Sequence, residues 1–282
     1  MQRIDELYEI IYQSETQHLP PRGIYPGIGG YRVKTIRSGN LTECEIYPIW
    51  YTSADKQRIR KKAGTRPEQQ KLNETNSVKM LTRLINTNFT KRDVLVTLTY
   101  DDEHLPADYA TAVKDSKNYI RRLRRLHEMS FPDEPLKYIV VTETRDEDGN
   151  PIRAHHHIVM NFRDRDAAEN LWRMGGRTQS RRLQPDLFEF TGLSKYLGKP
   201  GKPPAGVTVT RKWRGSRNLE RPKITTADKK ITRRRVNKIV KMSEQERAQL
   251  FERLYPGYRY LDCKVRYSDY VPGAYISVRL RR

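Results

Sequence analysis

Hydrophobic and polar positions alternate most clearly between Asp93 and Leu197. Asp93-Val-Leu-Val-Thr-Leu-Thr-Tyr100 is β-branched and aromatic and stops at Asp101-Asp102-Glu103, the composition of a strand that ends in a polar turn. From Asp108 to Met129 the period changes. Tyr119, Ile120, Leu123 and Leu126 form an apolar stripe while Arg121, Arg122, Arg124 and Arg125 lie largely off it, which predicts a helix. Lys137–Glu143 and Arg153–Asn161 read as two further strands, joined by a turn over Thr144–Pro151 that contains Asp148-Gly149-Asn150-Pro151. A short helix over Asp166–Met174, a strand over Arg177–Leu183 and a helix over Phe188–Leu197 complete the order β-α-β-β-α-β-α.

That order predicts an α+β fold: an antiparallel β-sheet with helices packed on one face, the ferredoxin-like or RNA-recognition-like layer arrangement. The flanks are less regular. Tyr31–Trp50 can supply short strands, and Ser77–Asn86, with Met80, Leu81, Leu84 and Ile85, has the pattern of an amphipathic helix. Gly201-Lys-Pro-Pro-Ala-Gly206 marks a break, followed by a strand over Val207–Trp213, a basic segment, a helix over Ser243–Leu254 and strands over Tyr258–Tyr267 and Tyr275–Leu280. The expected organisation is therefore an N-terminal arm (1–90), a core (91–204) and a basic C-terminal extension (205–282) that binds DNA or packs on the core.

Three of the six histidines sit together as His155-His156-His157 on the strand Arg153–Asn161. Successive strand side chains point to opposite faces, so His155 and His157 project together and His156 points away. Two imidazoles on one face can share a metal ion. The turn at 144–151 would fold Glu143 back towards them, giving three ligands with open positions, as a catalytic site requires. Asp146 and Glu147 are alternative carboxylates, and a register slipped by one residue would leave His156 facing the ion alone. Imidazole ligands favour Zn²⁺, Ni²⁺ or Cu²⁺ on affinity, whereas carboxylate and phosphate oxygens suit Mg²⁺ and Mn²⁺.

A net charge of +21 points to a polyanionic partner, nucleic acid first. Arg211–Lys238 holds twelve Lys or Arg against Glu220 and Asp228, nearly half of the excess. Within it, Trp213 offers a ring for an unpaired base to stack on, with Arg211, Lys212 and Arg217 placed for phosphates; packing on the core is the competing role. Cys44 and Cys263 belong to no close-spaced motif, so neither a disulfide framework nor a zinc ribbon is expected. No apolar run reaches the length of a membrane span and Met1-Gln-Arg-Ile-Asp5 opens no signal-peptide pattern, so a cytoplasmic protein is expected.

Tyr196 and Lys199 are three residues apart and share a face if helical. A phenol beside an ammonium suits attack on phosphorus, because the phenol must lose its proton and phosphate charge must be offset. Thr97 and Thr99 flank Leu98, so both hydroxyls should face one side of the sheet, where they touch DNA or support the metal site.

Val96-Thr-Leu-Thr-Tyr100-Asp-Asp-Glu-His-Leu-Pro106, Ala154-His155-His156-His157-Ile-Val159 and Tyr196-Leu-Gly-Lys199, in this order on a basic chain, resemble the three motifs of the HUH endonucleases. More narrowly, they are similar to those of rolling-circle replication initiators of small phages, plasmids and related mobile elements. The resemblance covers about Asp93 to Lys199. It implies a single-strand DNA nickase and ligase in which His155 and His157, with Glu143, hold Mg²⁺ or Mn²⁺. Tyr196 would attack the scissile phosphate, leaving a 5′-phosphotyrosyl link and a free 3′-hydroxyl, with Lys199 steering the phosphate. Thr97, Thr99, Lys195, Arg211, Lys212, Trp213 and Arg217 are the expected DNA contacts. The implied partners are single-stranded DNA at a replication origin and a host polymerase and helicase, since no Walker A pattern is present for a fused helicase.

Two positions depart from the family pattern. Gly192 stands where many relatives carry a second tyrosine, which implies a single-tyrosine enzyme. His156 replaces a bulky hydrophobe. The competing readings are a non-enzymatic nucleic-acid binder of RNA-recognition-like fold with structural histidines, and a relaxase or transposase using the same site. Motif order argues against the relaxase, and transposases of this type are typically much shorter.

Overall fold

Segments of two-residue periodicity pair as strands and those of three-to-four-residue periodicity coil as helices in a computed structural model describing residues 28–50, 67–146, 148–198, 213–267 and 273–282. In chain order these are β1 (Ile28–Ser38), β2 (Leu41–Trp50), α1 (Pro67–Asn88), β3 (Val94–Thr99), α2 (Tyr109–Ser130), β4 (Tyr138–Arg145) and β5 (Pro151–Met160). Then follow α3 (Arg165–Asn170), β6 (Thr178–Arg182), α4 (Thr191–Leu197), β7 (Trp213–Gly215), β8 (Lys223–Ile231), α5 (Arg233–Lys241), α6 (Glu244–Leu254), β9 (Arg259–Tyr267) and β10 (Ala274–Arg281). The class is α+β, with two five-stranded antiparallel sheets ordered β8-β1-β2-β10-β9 and β6-β3-β5-β4-β7.

The chain divides into two compact units, with boundaries after Met80 and after Arg221. In the unit Leu81–Arg221, Val94, Val96, Leu98 and Tyr100 pack with Val140, Ala154, Ile158 and Met160 against Tyr119, Ile120 and Leu123 of α2 and Ala168 and Trp172 at α3. Each fully buried Leu or Ile here contributes about 1.5–3 kcal/mol relative to an exposed one. Asp108 starts α2 by accepting the Thr111 backbone N–H at 2.7 Å. The predicted helix Asp166–Met174 ends earlier, at Asn170, and the chain turns through Gly175-Gly176 onto the end of β3. A Cβ at Gly176 would lie 2.3 Å from the Thr99 carbonyl oxygen, so this approach requires glycine.

In the other unit, β1 and β2 form a hairpin whose Gly39, at φ 58°, takes the first central position of a two-residue turn. The hairpin, which the sequence pattern places in an arm, pairs with β8 and β10 from the far end of the chain. Tyr31, Cys44, Ile46, Val278 and Leu280 build a core there with Val236 and Ile239 of α5 and Leu250 and Phe251 of α6. Residues 213–241, expected as a strand end and a basic segment, form β7, β8 and α5. A lysine and arginine count conceals a stripe as thin as Val236 and Ile239. Cys44 and Cys263 are both free thiols. No helix among the described residues is long and apolar enough to cross a membrane.

Candidate metal and nucleophile site

β5 lies centrally in its sheet, with β3 on one side and β4 on the other. Thr97, His157 and Val141 fall in one cross-strand row, Leu98, His156 and Thr142 in the next, and Thr99, His155 and Glu143 in a third. Alternation therefore turns His155 and His157 to one face and His156 to the other, the face covered by α2 and α3.

On the open face, Glu143, His155 and His157 each offer a ligand atom, all within 4.8 Å of one another. The two imidazoles stand edge to face with centroids 5.0 Å apart. His155 Nδ1 donates to the Arg153 carbonyl at 3.0 Å, so its Nε2, 3.2 Å from Glu143 Oε2, presents a lone pair to a carboxylate. Two acceptors so close repel unless a proton or a cation lies with them. Burial disfavours the His155 imidazolium, yet the Glu143 and Arg153 oxygens outweigh it and raise the pKa. The donor set fits a divalent ion, and the Nδ1–H···O=C bond is the kind of support that orients a metal-binding imidazole. His157 is buried, and burial first, then the His155 charge, pushes its pKa down to about 4. Its Nδ1 is 3.1 Å from Thr97 Oγ1 and its Nε2 is 3.3 Å from the Tyr196 hydroxyl.

Tyr196 rides on α4, held by buried Ser194 and Leu197 beneath it. The helix is delivered by a tight turn in which Asp186 and Glu189 exchange backbone hydrogen bonds, with Glu189 at φ 57°. The Phe190 N–H donates to Asn86 Oδ1 of α1 at 3.1 Å, and Ser194 Oγ donates to the Phe190 carbonyl at 2.8 Å. The Tyr196 ring meets His157 at a centroid distance of 5.3 Å and remains 43% exposed. Thus a nucleophile, two imidazoles and a carboxylate from β4, β5 and α4 share one solvent-reachable patch.

His156 is fully buried and hydrogen-bonded at both ring nitrogens: Nε2 lies 2.8 Å from the Tyr100 hydroxyl and Nδ1 3.0 Å from Thr142 Oγ1. The direction of the chain follows from its ends. Tyr100 donates to Asp115 Oδ2 at 3.3 Å, so it must accept from His156 Nε2–H; Nδ1 then accepts from Thr142, whose oxygen faces Arg214 Nη2 at 3.5 Å. Arg214 also donates to Ser116 Oγ at 2.7 Å. Burial pushes the His156 pKa down to about 3.

The remaining expected contacts scatter. Thr97 supports His157, and Thr99 Oγ1 donates to the Arg177 carbonyl at 2.8 Å. Lys195 is half-buried on α4, and Arg217 is exposed in the turn after β7. Trp213, opposite Val141, lies by register on the His157 face at the sheet edge. Lys199, Arg211, Lys212 and the alternative carboxylate Glu147 lie outside the described residues. Asp146 instead accepts the Asn150 and Asp148 backbone N–H groups at 2.8 and 3.0 Å, serving the turn. Two groups escape the sequence pattern. Composition counts Arg214 only as part of a basic run, although its place between Trp213 and Gly215 on a strand is the cue to its inward aim. Gln179 and Arg181, exposed on edge strand β6, pair with Thr97 and Leu95 and so share the His157 face, and the Arg181 charge helps hold the His157 pKa down.

No curated protein and no solved structure shows a significant match to this chain. Residues 93–200, the stretch that carries all three motifs and the whole of this site, match the family model of the replication-associated protein ORF2, which suggests a replication-initiator role.

Proposed function

We propose that the chain is a rolling-circle replication initiator that nicks and rejoins single-stranded DNA at an origin, with Tyr196 as its nucleophile. The observation that carries this reading is the 3.3 Å between the Tyr196 hydroxyl and His157 Nε2, in a cluster that includes His155 and Glu143. One phosphate can be reached at once by the nucleophile and by the groups that hold a cation.

In the cleavage step the Tyr196 phenolic oxygen bonds to phosphorus as the bond from phosphorus to the 3′-oxygen breaks. The phenolic proton balances the departing 3′-oxygen, which leaves as a hydroxyl. The products are a 5′-phosphotyrosyl enzyme and a 3′-hydroxyl, which a host polymerase extends as a host helicase opens the duplex. Attack of a 3′-hydroxyl on the phosphotyrosine reverses the step and joins ends without ATP. His155, His157 and Glu143 would hold Mg²⁺ or Mn²⁺, whose charge would polarise the scissile phosphate. Thr97 keeps the His157 ring turned to the site, Lys199 steers the phosphate, and Lys195, Thr99, Gln179, Arg181, Trp213, Arg217, Arg211 and Lys212 are the proposed strand contacts. Gly192, one turn before Tyr196, supplies no second nucleophile, and a Cβ there would lie 3.2 Å from Asp186 Oδ2. Ending a round of replication then needs a second subunit or a separate cleavage.

The test is incubation with single-stranded DNA carrying the element's origin and Mn²⁺, followed by denaturing electrophoresis. A protein–DNA adduct is expected from the native chain and none from Tyr196→Phe, while His155→Ala and His157→Ala bind DNA but cleave at least about a hundredfold more slowly, the scale lost with a key electrostatic group. Cleavage that survives Tyr196→Phe would overturn the assignment. DNA binding with no adduct under any divalent ion would favour a binding protein instead.

A further inference from the structure

The cations of α5 find no role in the nicking site. The helix reads Arg-Arg-Arg-Val-Asn-Lys-Ile-Val-Lys, with Val236 and Ile239 buried in the core and no acidic residue in any turn. Arg233, Arg234, Arg235, Asn237, Lys238 and Lys241 are all exposed. At 100° per residue, Arg234, Lys238 and Lys241 line up on the pole opposite the buried stripe, with Arg235 and Asn237 to either side. Like charges at i, i+4 and i, i+3 repel, and three arginines at a helix N-terminus oppose the helix dipole. The isolated helix is therefore locally disfavoured by its own charges, a cost that a bound polyanion would remove.

We infer that the exposed face of α5 is a second DNA-binding surface, one that takes the phosphate backbone of duplex DNA. The ligand class follows from the shape and composition of the face. A helix with side chains is about 10–12 Å across and the B-form major groove about 12 Å wide, so this ridge can lie in or along the groove with cations towards the phosphates. A surface for unpaired strands would combine cations with aromatic platforms, and none of the exposed α5 positions is aromatic. Neighbouring α6 carries Glu244, Glu246 and Glu252, so the positive face is confined to α5. The elements around it hold the ridge in place. Arg247 of α6 donates to the Ile239 and Val240 carbonyls at 3.1 and 2.8 Å, and Thr232 caps the start of the helix. This surface stands apart from the nicking chemistry and does not depend on it.

The experiment measures binding of the full chain to a blunt-ended DNA duplex and to oligo-dT over a salt series. It compares the native protein with Arg234→Gln/Lys238→Gln/Lys241→Gln and with a control, Lys223→Gln/Arg253→Gln/Arg259→Gln, that removes equal charge elsewhere in the same unit. Gln retains helix propensity and relieves repulsion, so the triple variant is expected to fold, with an unchanged circular dichroism spectrum and melting curve. The slope of log affinity against log salt for duplex should become shallower by about 2–3, at roughly 0.9 for each phosphate no longer neutralised, with oligo-dT binding little changed. An equal change in the control variant would mean diffuse attraction by the chain's net charge and overturn the inference. An equal weakening on oligo-dT would overturn the assignment to duplex.

Discussion

His156 shows how one residue can anchor a site without belonging to it. Its neighbours in sequence face the candidate metal position, while His156 itself links β3, β4 and β5 through Tyr100 and Thr142. An apolar side chain there would leave those two hydroxyls without their ring-nitrogen partners, and unpaired buried polar groups cost about 1–3 kcal/mol each. The buried ring also predicts an acid response. Folded His156 takes a proton only near pH 3, whereas an unfolded histidine does so near 6.5. Between those values the unfolded chain binds more protons, so stability falls as pH falls, by up to about 2 kcal/mol between pH 6.5 and pH 5 from this residue. His156→Gln, which keeps hydrogen-bonding capacity without titrating, should flatten that part of the stability curve in denaturant titrations at the two pH values. An identical acid loss in wild type and variant would mean that His156 is not the group responsible.

Among the elements, the end of β3 is the most heavily constrained. The Thr99 carbonyl accepts the Trp172 indole N–H at 2.5 Å, the Asp101 N–H donates to the Met174 carbonyl, and Arg153 donates two bonds to the Tyr100 carbonyl. The Gly175-Gly176 turn closes over this point. Gly176→Ala would drive a methyl group into the Thr99 carbonyl, so it is expected to cost about 1–3 kcal/mol in chemical denaturation and to slow any reaction at His155, which pairs with Thr99. A variant as stable as wild type would show that the turn can move away without penalty. The site lies at this point because β5 is central. Only a strand paired on both sides brings Thr97 and Glu143 to the two histidines at once.

Over the whole molecule, what the chain makes legible is what local periodicity encodes. The alternation in Ala154-His155-His156-His157 foretells which imidazoles share a face, and the short turn before Pro151 foretells the return of Glu143. The order of the motifs singles out Tyr196, although nothing in Tyr-x-x-Lys says that α4 would meet the sheet at His157. Pairing over long distances is not encoded locally. Tyr31 faces Ile231 across β1 and β8, from opposite ends of the chain, and each segment alone reads only as a strand or as a run of basic residues. Arg214 is hidden in the same way, because a charge count cannot distinguish a guanidinium buried against Ser116 and Thr142 from one in solvent. The central claim joins these scales: a tyrosine on a short helix acts on DNA beside two histidines and a glutamate on a sheet. Peptide mapping by tandem mass spectrometry of the protein–DNA product tests it most directly. The account predicts a nucleotide mass, attached through a 5′-phosphate, on the peptide that contains Tyr196; attachment at any other residue would contradict it.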